Sequence, residues 1–258
     1  MSFFVVIPAR LNSSRLSGKV LLDIAGKPML QHVYEQAKKS LARDVFIATD
    51  HEDIKTVATQ FGARVYLTDK THTSGTDRIA QVVHQHGFDP DDIIVNVQGD
   101  EPLIPPELID LVATTLQNNP QASMATLATP IIDHHAYFDP NTVKVVTDKQ
   151  SRALYFSRAS IPWFRDHIVK NQFSVENFQF QHCYKHVGLY AYRADFLSQY
   201  ACLEKSSIEL IESLEQLRVL WHGYQIQVAI TNISTGIGVD TVHDLQKVRD
   251  LIASQSSA

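Results

Sequence analysis

Runs of large apolar residues alternate with helix-period segments through the first half of the chain. Residues 3–7 are five consecutive apolar side chains closed by Pro8, the pattern of a buried strand. Met29, Leu30, Val33, Tyr34 and Ala37 recur at helical spacing behind Pro28, which sits where a first-turn proline would. Residues 45–48 predict a second strand running into Thr49-Asp50, and Ile54, Val57, Ala58 and Phe61 a helix that Gly62 closes. A short strand at residues 65–67 follows, then a helix marked by Ile79, Val82 and Val83 and ended by Gly87. Residues 93–97 form a near-continuous apolar strand leading into Gln98-Gly99-Asp100-Glu101-Pro102. Strands apolar on both faces, alternating with helices, predict an α/β fold with a mostly parallel, Rossmann-like sheet flanked by helices. Such sheets bind ligands outside the carboxyl ends of their strands. That draws attention to Pro8-Ala9-Arg10, Thr49-Asp50 and Gln98-Gly99-Asp100.

From about Ile131 strand-like pieces become frequent, at residues 143–146, 154–157, 187–192 and 226–230. They predict a smaller, largely antiparallel sub-structure rather than a second domain, because no Pro/Gly/Ser linker or repeat separates the halves. The expected organisation is a single domain over residues 1–258, with parts at about 1–130, 131–235 and 236–258. The last part returns to the main sheet, its helix at residues 242–253 packing back on it. A net charge of -5 argues against a whole-surface nucleic-acid binder, while leaving room for a local basic pocket. No apolar stretch approaches the roughly 20 residues that span a bilayer. Cys183 and Cys202 are too few and too far apart for a disulfide framework or zinc site. A cytoplasmic protein with no membrane and no nucleic-acid partner is expected.

Four constellations carry candidate chemistry. Arg10, Arg15 and Lys19 lie in one loop after the first strand, with Gly18 among them and no acid before Asp23. Fixed cations and close backbone approach are what a triphosphate needs, although a solvated basic loop reads the same way. The spacing is not that of a Walker P-loop, and Gly236-Ile-Gly238 lacks the third glycine of a dinucleotide fingerprint. Those absences argue against a P-loop kinase and against a nicotinamide dehydrogenase.

Asp100 ends a buried strand, and Asp240 follows the flexible Gly236-Ile-Gly-Val. Two hard oxygen ligands plus substrate phosphates suit Mg²⁺, whereas Asp240 before Thr-Val also suits an N-cap. Ser74-Gly-Thr-Asp-Arg78 reads as a capping segment with a salt-bridging Arg, or as a base- or ribose-contacting loop. In the second half, strand alternation puts His186, Gly188, Tyr190 and Tyr192 on one face. Leu210, Leu214, Leu217 and Trp221 predict an apolar helical stripe, with Glu215 semi-buried and in need of a partner. Arg158 and His186 could hold a carboxylate, and Tyr190, Glu215 and Gln216 sugar hydroxyls; each could equally be structural.

Taken together these stretches resemble the 3-deoxy-manno-octulosonate (Kdo) cytidylyltransferase family, from Phe3 to about Ile252. The resemblance rests on Ile7-Pro-Ala-Arg10, Ser14-Arg-Leu16, Gly18-Lys19, Gly26-Lys-Pro-Met29, Ala48-Thr-Asp50 and Ser74-Gly-Thr-Asp-Arg78. It continues through Asn96-Val-Gln-Gly-Asp-Glu-Pro102, Ala153-Leu-Tyr-Phe-Ser-Arg158, His186, Leu214-Glu-Gln-Leu-Arg218 and Gly238-Val-Asp-Thr241.

The resemblance implies a nucleotide-diphospho-sugar transferase fold and CMP transfer from CTP to Kdo for lipopolysaccharide assembly, in a Mg²⁺-dependent homodimer. It implies Ala9, Arg10, Arg15, Lys19, Ser74, Gly75 and Arg78 at the nucleotide, with Arg15, Lys19 and Asp100 catalytic. It implies Asp100 and Asp240 as metal ligands, and Gln98, Arg158, His186, Tyr190, Glu215 and Gln216 around the sugar. The family pattern Arg-Leu-Pro-Gly-Lys-Pro is broken by Ser17 and Val20, which leaves the loop less restricted. Alternatives are the same reaction on 8-amino-Kdo or a sialic acid, or a nucleotide-sensing protein without catalysis.

Overall fold

The first apolar run forms the middle of a nine-stranded sheet. A computed structural model of the chain describes residues 2–11, 16–72, 74–165, 180 and 182–256. In order, the first half holds β1 (Phe3–Ala9), the ribbon strands β2 (Asp23–Ile24) and β3 (Lys27–Pro28), α1 (Met29–Lys38), β4 (Asp44–Thr49), α2 (Glu52–Gln60), β5 (Arg64–Leu67), α3 (Gly75–His86), β6 (Ile93–Asn96) and α4 (Pro106–Gln117). The second half holds β7 (Met124–Pro130), α5 (His134–Phe138), β8 (Lys144–Thr147), β9 (Ala153–Ser157), β10 (Tyr184–Arg193), α6 (Ala194–Tyr200), α7 (Ser207–Glu212), α8 (Gln216–Trp221), β11 (Ile226–Ile230) and α9 (Val242–Ser256).

The strand order is β11-β7-β10-β6-β1-β4-β5, with β8 and β9 attached beside β10. The block β6-β1-β4-β5 is parallel, as the βα rhythm predicts. Its side chains alternate into two apolar layers. Phe3, Val5 and Ile7 pack with Val33 of α1 and Val112 of α4, whereas Phe4 and Val6 pack with Ile79 of α3 and Phe196 of α6. The antiparallel part is not a separate layer: β10 runs antiparallel between β6 and β7 and so joins the same sheet. Because Tyr190 pairs with Asn96, the opening residues of β10 reach the edge where β1, β4 and β6 end. That edge is where a ligand of such a sheet binds.

Three features differ from the pattern reading. No element is predicted between Pro102 and Ile131, yet α4 and β7 lie there. The β7 sequence Met-Ala-Thr-Leu-Ala-Thr-Pro has few of the large branched side chains that signal a strand, though its first five residues are buried. The final helix packs through Leu245 and Val248 against Ile24 of the ribbon and Met29 of α1, rather than against the main sheet. Finally, the stripe expected over residues 208–223 is broken into α7 and α8. Ser213 takes a left-handed φ of 53°, Leu210 and Trp221 are 62% and 58% exposed, and only Leu214 and Leu217 are buried.

The break is stabilised by a buried ion pair. Ser206 and Glu209 form a capping box at the start of α7. The same Glu209 carboxylate takes a bidentate contact from Arg218, at 2.9 and 2.5 Å, and Arg218 also stacks over Tyr200 at 4.6 Å. The hairpin this pair closes presents Glu215 and Gln216. Removing one partner leaves a desolvated charge, so Arg218→Met should lower unfolding free energy by about 3–5 kcal/mol. Converting Glu209 to Gln in the same chain should recover part of that loss. Urea unfolding of both variants measures this; a double variant no more stable than the single one would refute the pairing account.

Candidate active site

Three distant segments meet at one cation position. Lys19 lies in a short 3₁₀ turn (Lys19–Leu21) and is buried. Its Nζ is 2.6 Å from Asp100 Oδ2 and 3.2 Å from Asp240 Oδ1. Asp100 is set by the turn after β6, where Val97 N donates to Val6 O and Glu101 N to Gln98 O. Gly99 allows that turn to press on β1, since a Cβ there would lie 3.0 Å from Pro8 O. Asp240 is brought alongside by Val239 N, which donates to Asp100 O at 2.9 Å. The approach needs a glycine at 238, where a Cβ would meet Glu101 Oε1 at 2.6 Å. The N-cap alternative for Asp240 does not describe this end of α9. Thr241 Oγ1 accepts from Asp244 N, and Asp244 Oδ2 accepts from Thr241 N, so Thr241 is the cap.

Two converging carboxylates fit a hard divalent cation that takes its remaining ligands from substrate and water. Among the described residues no cluster of three or more metal-binding side chains occurs, so the pair is the whole protein contribution found there.

Around this centre, the predicted nucleotide residues divide. Ala9 ends β1 and is buried, Arg10 is exposed beside it, and Arg15 lies outside the described residues. Ser74 caps α3, accepting from Asp77 N at 3.0 Å, and Gly75 packs on Pro8. Arg78 is 3% exposed; it donates to Asp50 Oδ2 at 2.8 Å and to Thr68 Oγ1, tying the ends of β4 and β5 together. The cap and the salt bridge left open by the sequence are what these side chains form here, and they hold the N-terminus of α3 against β1.

The predicted sugar residues fall into three places. Gln98 and His186 line one cavity of about 240 Å³. The expected face of β10 survives a bulge there: His186 pairs with Ala128 and Tyr190 with Thr126, so Gly188 and Leu189 are looped out and parity is kept. Thr126 Oγ1 fills the bulge, at 3.0 Å from Val187 O, 2.9 Å from Leu189 O and 3.0 Å from His186 Nε2. The single hydroxyl proton goes to the carbonyls, so His186 Nε2 is the protonated nitrogen that donates to Thr126. Burial pushes the His186 pKa down to about 3. The ring is therefore neutral, and Nδ1 is an acceptor, which suits a hydroxyl rather than the carboxylate expected from the sequence.

Tyr190, Glu215 and Gln216 gather at a second, much smaller cavity of about 20 Å³ with Thr76, Tyr192 and Tyr200. Glu215 keeps a solvent-exposed surface, yet burial raises its pKa, and Thr76 Oγ1 donates to it at 3.1 Å. Tyr200 Oη and Gln216 Nε2 are buried there without a partner among the described residues. Arg158 is placed apart, its Nε donating to Glu212 O at 2.8 Å and Nη1 to Pro140 O at 3.1 Å.

Two residues that sequence reasoning passed over line the larger cavity, Glu101 and Lys185. Burial, then the Asp100 and Asp240 carboxylates, raises the Glu101 pKa to about 7. Its place beside Asp100 in the Gln-Gly-Asp-Glu-Pro stretch was the available signal. Lys185 had none, because alternation assigns it to the face opposite His186, although both line the one cavity.

Residues 4–227 match the cytidylyltransferase family. A 3-deoxy-manno-octulosonate cytidylyltransferase of Idiomarina loihiensis is 54% identical, with 97% of this chain and 98% of the relative aligned. One from Vibrio vulnificus is 52% identical over 99% of this chain and 100% of its own length. Among solved structures, CMP:2-keto-3-deoxy-manno-octonic acid synthetase complexed with CTP superposes with a TM-score of 0.87 at 42% identity, covering 98% of this chain and 99% of the other. A 4-diphosphocytidyl-2C-methyl-D-erythritol synthase shares the fold, with a TM-score of 0.63 at 17% identity over 97% and 98% of the two chains. The protein belongs to the cytidylyltransferase family, and within it to the 3-deoxy-manno-octulosonate cytidylyltransferases.

Proposed function

We propose that the chain transfers CMP from CTP to the anomeric hydroxyl of Kdo, releasing pyrophosphate, as a cytoplasmic step towards lipopolysaccharide. The reading is carried by the meeting of Lys19, Asp100 and Asp240 at the strand ends, beside a cavity lined by Gln98 and His186. The relatives' full-length similarity supports Kdo over a sialic acid as acceptor.

Mg²⁺ held by Asp100 and Asp240 would supply charge at the α-phosphate and acidify the acceptor hydroxyl. The acceptor oxygen attacks the α-phosphorus in line, and pyrophosphate leaves. Lys19 turns from the carboxylates to the phosphates, where its charge counts most as pyrophosphate departs. Arg10, and Arg15 from the same loop, add charge to the triphosphate. His186 Nδ1 accepts from a sugar hydroxyl.

The quaternary part of the proposal is a homodimer. Ile132, Leu154, Leu210 and Ile211 of the second half are 86%, 61%, 62% and 81% exposed, the kind of apolar surface a second copy would cover.

Pyrophosphate release from each of the four NTPs, with Kdo, 8-amino-Kdo or a sialic acid and Mg²⁺, tests the reaction. Activity confined to CTP and Kdo is expected, and no release with Kdo would sink the reading. Lys19 gives a second test that needs no turnover. Its ammonium holds the cation position, so Lys19→Met should bind Mn²⁺ without nucleotide at least about tenfold more tightly than wild type, a gain of about 1.4 kcal/mol. Electron paramagnetic resonance of free Mn²⁺ measures it, and equal affinities would remove Lys19 from that role.

His186 yields a pH prediction. Its folded pKa of about 3 lies below the ordinary 6.5, so between those values the unfolded chain binds more protons and acid destabilises the fold. From pH 7 to pH 5 wild type should lose about 2 kcal/mol more stability than His186→Gln. Parallel melting curves at the two pH values would reveal an accessible, titrating ring if the losses matched.

A further inference from the structure

The larger cavity has a polar wall that the reaction chemistry above leaves unused. Glu101 projects there, and its backbone is pinned at both ends, Glu101 N to Gln98 O and Ile104 N to Glu101 O, each at 3.2 Å. Its carboxylate lies against the backbone of Gly238, close enough that a Cβ would sit 2.6 Å from Oε1 and 3.0 Å from Cδ. The side chain is thus held by its surroundings rather than free to swing away. Yet among the described residues no side chain or backbone N–H bonds it. Lys19 gives its contacts to Asp100 and Asp240 instead. An acceptor that the surrounding protein leaves unbonded is costly unless a ligand brings donors. Lys185 lines the same cavity and likewise has no ion-pair partner among the described residues. At about 240 Å³ the space lies below the roughly 300–1,000 Å³ of drug-sized sites, so it suits one sugar unit.

We infer that Glu101 and Lys185 orient the acceptor sugar, the Glu101 carboxylate accepting from its hydroxyls and the Lys185 ammonium meeting its carboxylate. This inference rests on the proposed Kdo reading. The opposite placement would set the sugar's carboxylate against Glu101 and the neighbouring Asp100 and Asp240, a like-charge contact that excludes it. Arg158 is not needed for the sugar's charge, because its guanidinium and main chain are engaged by Glu212 and Pro140. The arrangement is selective: a neutral sugar lacks the group for Lys185, and an acid lacking hydroxyls leaves Glu101 without donors.

Glu101→Gln keeps the shape against Gly238 and removes the charge. KM for Kdo should rise at least tenfold, KM for CTP should stay within twofold, and Mn²⁺ affinity should fall by less than KM for Kdo rises. The melting temperature should hold or rise, because an unpaired charge has gone. Lys185→Met, at an exposed position with little risk to folding, should raise KM for Kdo in the same selective way. A lower melting temperature with both KM values raised would make Glu101 a structural brace and overturn the inference. So would a shift in Mn²⁺ affinity or CTP KM with Kdo untouched. A wild type silent on Kdo would sink the proposed function itself; an active wild type with unaffected variants sinks this inference alone.

Discussion

Two negatively charged carboxylates share a small space only with a cation close to both. Asp100 and Asp240 are drawn together by a backbone hydrogen bond between their neighbourhoods, and the Lys19 ammonium makes that approach tolerable. The contact ties the loop after β1 to the turn after β6 and to the entry of α9. None of those segments is regular structure of any length, so each depends on the other two for its position. The sheet supplies the frame: β1 and β6 are adjacent and parallel, so their loops emerge at the same edge. The glycines at 99 and 238 then let backbone come close enough for the three side chains to meet.

The same edge is completed by a strand running the other way. Had β10 been parallel to β6, its opening residues would lie at the far end of the sheet. Antiparallel pairing brings His186 and Lys185 to the edge where β1 and β6 end, and the bulge after Val187 gives the strand its local width. Thr126 pays for the bulge by bonding the carbonyls of Val187 and Leu189, and in doing so it fixes the tautomer of His186. A backbone irregularity thereby sets which ring nitrogen can accept from a ligand.

The parallel half of the fold was legible because its strands are apolar on both faces and its helices end in glycines, as at Gly62 and Gly87. The β7 strand was not, since Ala125 and Ala128 carry little strand signal although the sheet buries them. The α7–α8 break was hidden for another reason: Leu210, Leu214, Leu217 and Trp221 have helical spacing, but the Glu209–Arg218 pair folds the segment back on itself, and tertiary energy overrides periodicity. In the site, Asp100 and Lys19 were legible from their position after strands. That they touch was not, because no spacing rule relates residues 81 apart in sequence.

The polar residues of the second half separate only when their hydrogen bonds are accounted for. Arg158, which the sequence suggests as a ligand-binding cation, is engaged by the protein, as are Arg218 and Lys144. Lys144, fully buried, donates to the carbonyls of Asp139, Thr142 and Arg158 at 2.9, 2.6 and 2.6 Å. Arg78 belongs with them, bound to Asp50 and Thr68. Groups with full complements hold loops in place; a ligand could use their charge only by breaking contacts that already stabilise the fold. Glu101, Gln216 and Tyr200 have the opposite character, lining cavities with bonding capacity left over among the described residues. Desolvation of such groups makes the empty site less stable than it could be, and a ligand that supplies the missing partners recovers that energy on binding. The two cavities therefore hold unsatisfied groups, and the shell that supports them holds satisfied ones.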